Sequence, residues 1–320
     1  MESSYTEASY ENSIIELFEN MGYTYCYGPD FPRDLTDPIM EDQLKNSLET
    51  VNPKLPSQAI DEAIYKIKNY EAGTLVSKNE VFMDYLQNGV EVTYRDGEAS
   101  RSTLVKLVDY DHVANNSFIV ANQWTFKDFE TKRADVVIFL NGLPVVLIEL
   151  KSPKNDEVTI KDAYLQIQNY MKSIESAFIY NAFCVISDQS QTRAGSITAS
   201  LERFMEWKTV DGNYEETRFA DFTTLFKGMF EKNRFLDILH NFICFSKESG
   251  GDVKIIAAYH QYFAVRKAVE STVKASGKGG DGRGGVFWHT QGSGKSLSMV
   301  FYIMGPLSRP RSKILRVAVS

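Results

Sequence analysis

Two apolar, β-branched runs, residues 136–140 and 145–150, flank Asn141-Gly142 near the middle of the chain. Neither run alternates with polar positions, so each reads as a strand buried on both faces of a sheet. Asn-Gly between two such runs is the strongest short-range signal for a hairpin. Before them the apolar spacing is helical. Ile14, Ile15, Leu17, Phe18 and Met21 form one face of a helix over residues 9–21, with Gly22 as its stop. Further helices are predicted at residues 42–50, from an N-cap at Ser57 to Tyr70 with Ile60, Ile64 and Ile67 in phase, and at residues 77–87. Strands at 90–94, 104–109 and 118–123 then lead into the hairpin. Helices first and strands second point to an α/β fold with a mixed sheet flanked by helices.

After Pro153 the pattern predicts a polar stretch, a helix over residues 160–174 and a strand over 182–187. Residues 188–196, rich in Ser, Gln and Gly and carrying Arg193, read as an exposed loop. Residues 201–245 read as helical, with Leu225, Phe226, Met229, Phe230, Phe235, Leu236, Ile238 and Leu239 as core candidates. A polar linker over 246–252 with Gly250-Gly251 is the expected boundary between a unit of residues 1–245 and one of residues 246–320.

Composition narrows the partners only slightly. The 320 residues are 43% hydrophobic and 24% charged, ordinary globular values, and the net charge is −7. That balance excludes a protein basic all over, though a local basic groove can coexist with an acidic remainder. Three dispersed cysteines, with no C-x-x-C pair, read as reduced thiols of a cytoplasmic protein without a zinc site. The N-terminus is acidic and polar, and no apolar run reaches membrane-spanning length, so no membrane partner is expected.

The chemistry begins where three charges enter the apolar hairpin: Asp135, Glu149 and Lys151. Glu149 and Lys151 are two apart, so on an extended strand both leave the same face. Antiparallel pairing brings Asp135 close to Glu149 at the open end. Neighbouring carboxylates repel unless a cation sits between them, and a hard, oxygen-seeking ion such as Mg²⁺ meets that need. A plain Glu149–Lys151 ion pair at a strand end is the alternative. The arrangement resembles the PD-(D/E)xK nuclease core, with Ala134 where the family has Pro. The resemblance implies Asp135 and Glu149 as metal ligands together with the Leu150 carbonyl, and Lys151 as catalytic lysine. It also makes Glu11, on the first helix, a candidate ligand; a charge favouring a helix N-terminus accounts for it equally well. Gln166 and Tyr170, four apart on the following helix, share a face and match a Q-x-x-x-Y element; helix packing alone also explains Tyr170.

A second constellation follows the boundary. Residues 286–289 read as a short strand, then come Thr290-Gln291-Gly292-Ser293-Gly294-Lys295-Ser296 and an apolar helix to Met304. Strand, glycine turn and helix form the context of a phosphate-binding loop. Backbone N–H groups converge on phosphate there, Lys295 reaches the β- and γ-phosphates, and Ser296 serves Mg²⁺. His289 stands where the usual pattern has its first glycine, which resembles the first motif of superfamily 2 helicases. In that class a glutamine upstream reads adenine; Gln261, opening a helix over 259–273, matches, and a surface polar residue is the alternative. Thr290, Gly292, Ser293, Gly294, Lys295 and Ser296 are the expected ATP contacts.

Nuclease core followed by the start of a RecA-like P-loop domain resembles the restriction subunit of type I restriction-modification enzymes. That resemblance implies Mg²⁺-dependent cutting of double-stranded DNA, ATP-driven translocation, and assembly with methyltransferase and specificity subunits. The chain ends at Ser320, soon after the phosphate loop, so a fragment of a larger subunit is expected, able to bind ATP without turning it over. Two other readings stay open here: a helicase–nuclease of DNA repair, and a non-catalytic DNA-binding or assembly module.

Overall fold

A computed structural model describes residues 7–151, 159–188, 190–213, 222–288 and 294–304. Helix α1 (Glu7–Asn20) precedes strand β1 (Thr24–Tyr27), and three helices follow: α2 (Glu41–Val51), α3 (Ser57–Lys68) and α4 (Leu75–Asn88). Strands β2 (Val90–Asp96) and β3 (Ala99–Val105) make a separate hairpin. Next come β4 (Phe118–Lys127), β5 (Thr131–Leu140), β6 (Leu143–Leu150), α5 (Ile160–Ser173), α6 (Glu175–Ile179), β7 (Phe183–Ser187) and β8 (Thr192–Gly195). The last part holds α7 (Phe222–Phe230), α8 (Lys232–Asn241), β9 (Ile243–Glu248), β10 (Gly251–Ile256), α9 (Tyr259–Ser276) and α10 (Lys295–Met304).

The central sheet is mixed, in the order β1-β4-β5-β6-β7-β8. The pairs β1–β4 and β6–β7 are parallel, and the others antiparallel. Every residue from Val136 to Leu150 is buried, as unbroken apolar runs require. One face carries Val136, Ile138, Val146 and Ile148 into a core with α1, α7 and α8; the other carries Val137, Phe139 and Leu147 against α5 and α6. Each such side chain contributes about 1.5–3 kcal/mol on burial, so this hairpin anchors both layers.

Its turn is fixed from several sides. Asn141 and Gly142 both have positive φ, 53° and 86°, the conformation a two-residue hairpin needs. The Asn141 side chain is fully buried; its Oδ1 accepts the Ser117 N–H at 2.7 Å and its Nδ2 donates to the Leu107 carbonyl at 2.8 Å. Gly142 lies so close to α2 that a Cβ would meet Leu44 N and Met40 O at 2.7 Å. Pro144 pairs with Phe139 one step from the turn, next to a register shift between Ile138 and Phe139, the kind of irregular position at which a strand tolerates proline.

Several expectations need correction. The helix at 57–68 is capped by Pro56, with Ser57 already inside it. The second strand of the small hairpin runs 99–105, earlier than its apolar spacing suggests, because it pairs with β2 across a Gly97 turn. Residues 192–195 are strand β8, not an exposed loop: Thr192, Ala194 and Ser196 are buried because β8 extends the sheet beside β7. Residues 204–213 are irregular, so helix within the described part of 201–245 is confined to α7 and α8 after a short turn at Leu201–Arg203. The polar stretch expected to be a linker is the β9–β10 hairpin, whose strands pair through backbone groups that polarity patterns do not register. Residues 286–288 are not a strand but irregular backbone, with Val286 and Trp288 exposed. His289, Thr290, Gln291, Gly292 and Ser293, like the polar stretch 152–158, lie outside the described residues. The three cysteines are free thiols, and no described helix is long and apolar enough to cross a membrane.

Strand β10 also buries a charge. Lys254 is 2% exposed, and its Nζ donates to Asn79 Oδ1 at 2.8 Å and to the Asn181 carbonyl at 2.6 Å. Its own carbonyl accepts the Ser196 hydroxyl, so this one residue ties β10 to α4 and to the segment after β8. Burial lowers its pKa from the ordinary 10.5 to about 7, and raises that of neighbouring Cys184 from 9.0 to about 12.

This packing makes the turn and the buried amine open to direct test. Gly142→Ala should lose roughly 2–4 kcal/mol in urea denaturation, from positive-φ strain plus the clash with α2; a loss below about 1 kcal/mol would show that α2 yields freely. Between pH 7 and 9 the unfolded chain holds the Lys254 proton that the folded chain releases, so stability should rise with pH there. The slope is at most about 1.4 kcal/mol per pH unit, and above pH 9 Cys184 acts in the opposite sense. Lys254→Met should flatten the rise; equal slopes in the two proteins would contradict it.

Candidate active site and nucleotide loop

The β5–β6 register sets Val136 against Ile148, which brings Asp135 to the end of β6. There Asp135 Oδ2 accepts the Leu150 N–H at 2.8 Å. Glu149, 2% exposed, sits one residue earlier, with its Oε1 2.5 Å from Lys151 Nζ. The Lys151 backbone N–H donates to the Ser187 carbonyl of β7 at 2.8 Å, which fixes where its side chain starts. The plain ion-pair reading of Glu149 and Lys151 is therefore present in the fold, and Asp135 lies beside it rather than apart from it. A buried carboxylate demands a cation close by, and Lys151 supplies one.

Helix α5 adds Tyr170. Its side chain is buried and its hydroxyl donates to the Arg133 carbonyl at 2.8 Å. Burial, and then the charge of Glu149, hold the Tyr170 pKa well above the usual phenol value, while a hydrogen bond with Gln166 works the other way. Thus Asp135, Glu149, Leu150, Lys151, Gln166 and Tyr170 converge at one end of the hairpin. Thr159 caps α5 through a reciprocal bond with Asp162, and Asp188 Oδ2 accepts the Ile160 N–H, so this helix is held where Tyr170 can reach.

Glu11 is bonded to strand β4. Its carboxylate is 7% exposed and accepts two amide donors, Asn122 Nδ2 and Gln123 Nε2, each at 2.6 Å. Among the described residues no group of three His, Cys, Asp or Glu side chains is disposed to hold a metal. Sequence reading missed what surrounds these amides. Ala121 and Trp124, three apart, lie in the same core layer, as do their partners Val137 and Ala134, so the strict alternation of both strands breaks opposite Asp135. Gln123, with φ of 52°, is the residue at the break. A polar Asn-Gln pair inside an otherwise apolar strand was the available signal.

In the second constellation, Gly294 has φ of 79° and α10 begins at Lys295. Lys295 and Ser296 are exposed in its first turn. Gln261 is 4% exposed; its Oε1 accepts the Ala258 N–H at 2.9 Å and its Nε2 donates to the Gly294 carbonyl at 3.2 Å. The structure therefore brings Gln261 to the loop and uses both ends of its amide to tie α9 to α10. Thr290, Gly292 and Ser293 lie outside the described residues.

A family profile described as type I restriction enzyme R protein N terminus (HSDR_N) matches residues 4–203, well over half of the chain. The chain belongs to that family. A second profile, described as SWI2/SNF2 ATPase, matches residues 260–319. Among curated proteins the chain is 35% identical, over 321 residues, to the type I restriction enzyme HindI endonuclease subunit of Haemophilus influenzae, covering 96% of this chain and 30% of that one. It is 27% identical over 254 residues to the type I restriction enzyme EcoprrI endonuclease subunit of Escherichia coli, 76% of each. The chain thus spans about 30% of the length of the first relative.

Proposed function

We propose that this chain is the DNA-cutting part of a type I restriction endonuclease subunit, with a PD-(D/E)xK nuclease fold and the opening of an ATP-driven motor. The observation that carries the reading is the convergence of Asp135, Glu149 and Lys151 at the end of a fully buried hairpin. Two carboxylates and the Leu150 carbonyl form an all-oxygen donor set, which suits a hard cation. With only two acids, the remaining positions fall to water and phosphate oxygens, the habit of Mg²⁺. Bound there, Mg²⁺ would polarise the phosphodiester and make a water acidic enough to attack it.

The chain's own residues do the rest. Asp135, steadied by the Leu150 N–H, and Glu149 set the direction of approach. Lys151 orients the attacking water and offsets the charge gathering on the phosphate as the P–O bond to the leaving sugar breaks. Tyr170, held by Gln166 and by the Arg133 carbonyl, lies close enough to Glu149 to feel its charge and walls that side of the site. Two such sites acting together give a double-strand break. Lys295 and Ser296, with Thr290, Gly292, Ser293 and Gly294, would hold the phosphates of ATP and its Mg²⁺, with Gln261 bonded to Gly294 at the edge of the loop. Methyltransferase and specificity subunits, which read the DNA sequence, complete the assembly; the family membership and the relatives' names support this.

In the complete restriction complex, Asp135→Ala, Glu149→Ala or Lys151→Ala should lower cleavage of double-stranded DNA by roughly a hundredfold or more. ATP hydrolysis should stay within about twofold of normal in the same variants. Lys295→Ala should remove ATP hydrolysis. Equal loss of both activities in the Asp135 variant would contradict the division of labour.

A further inference from the structure

Helix α1 sends two consecutive side chains to opposite flanks of the candidate active site. Tyr10, fully buried, places its hydroxyl 2.6 Å from Ser187 Oγ, on the residue whose carbonyl takes the Lys151 N–H. Glu11 reaches the other flank and accepts Asn122 Nδ2 and Gln123 Nε2. Asn122 Oδ1 in turn accepts the Tyr25 hydroxyl at 2.9 Å. Successive helical residues point about 100° apart, which is how one turn of α1 can serve both flanks.

The second flank is the one under strain. Gln123 holds a positive φ without being glycine, a conformation that persists only where its surroundings impose it. The ladder sets Asn122 against Val136 and Trp124 against Ala134, so Gln123 is the residue facing Asp135. Hydrogen bonds to an ionised carboxylate are roughly twice as strong as neutral ones, so the two that Glu11 accepts are suited to hold that crossing.

We infer that Glu11 is a positioning residue and not a metal ligand: its carboxylate clamps the Asn122-Gln123 crossing of β4 and thereby aims the Asp135 carboxylate that the divalent ion needs. The inference rests on the reading of Asp135 and Glu149 as an ion site. The clamp explains why an acidic side chain lies buried next to that site without forming a three-acid group with it. It also explains why the break in alternation falls opposite Asp135 and nowhere else along the β4–β5 ladder.

A charge transfer within the clamp separates the two roles. In the double variant Glu11→Gln/Asn122→Asp, the new amide at position 11 would accept from Gln123 and donate to the new carboxylate at position 122. That carboxylate would still accept from Tyr25, so the bonds among positions 11, 25, 122 and 123 survive while position 11 loses its charge. Mn²⁺ titration of the chain by calorimetry, with amide hydrogen exchange over residues 133–136 in metal-free protein, reads the outcome. Glu11→Gln alone should weaken Mn²⁺ binding roughly tenfold to a hundredfold and speed exchange; the double variant should restore both. Asp135→Asn should abolish binding with exchange at 136 unchanged. Loss of binding in Glu11→Gln as complete as in Asp135→Asn, unrelieved in the double variant, would make Glu11 a ligand and overturn the inference. Unchanged exchange and affinity in Glu11→Gln would overturn it from the other side. A wild-type chain taking up no Mn²⁺ would instead overturn the ion site and its link to Glu11, while the exchange result would still decide the clamp.

Discussion

The register of β5 against β6 is the constraint on which the rest of the molecule depends. In a strand pair buried on both faces, a slip of one residue would exchange the two core layers and carry Asp135 away from the end of β6. The two-residue turn prevents that slip. Asn141 occupies a left-handed conformation with its amide bonded to Leu107, Asn116 and Ser117, and Gly142 presses against the first turn of α2 where no side chain fits. Register fixed at the closed end dictates which residues meet at the open end, some five pairs away. There the meeting partners are two carboxylates and a lysine.

Around that end, the fold uses long-range elements to hold short-range chemistry. Strand β7 takes the Lys151 backbone, α5 brings Tyr170 beneath Glu149, and α1 braces both flanks through Tyr10 and Glu11. Each of these contacts is polar and buried, so each is costly to leave unmade and strongly directional when made. The apolar strands supply stability, and the polar contacts supply aim. The same division recurs at Lys254, where one buried amine fastens β10 to α4 and the loop before β7.

Much of this was legible from residues alone. The hairpin, its Asn-Gly turn, the paired acids with Lys151 and the Gln166–Tyr170 face all follow from spacing, because strand and helix periods are local properties. What escaped were features decided by distant partners. Strand β8 and the β9–β10 hairpin read as polar loops, since backbone pairing leaves little mark on side-chain polarity. Residues 286–288 read as a strand from their apolar character, yet they are irregular, since apolar side chains alone do not set a strand's pairing. The break at Gln123 was marked only by the polar Asn-Gln pair, because alternation arguments assume an unbroken pleat, and Glu11 was therefore considered as a ligand or a helix-end charge rather than as a clamp.

The central claim is that Asp135, Glu149 and the Leu150 carbonyl share one divalent ion. Anomalous scattering from a crystal soaked in Mn²⁺ addresses it without reference to DNA, ATP or partner subunits. The account predicts a peak at the open end of the β5–β6 hairpin, about 2.1 Å from one oxygen of each carboxylate and from the Leu150 carbonyl. A map with Mn²⁺ bound elsewhere and nothing between Asp135 and Glu149 would contradict it.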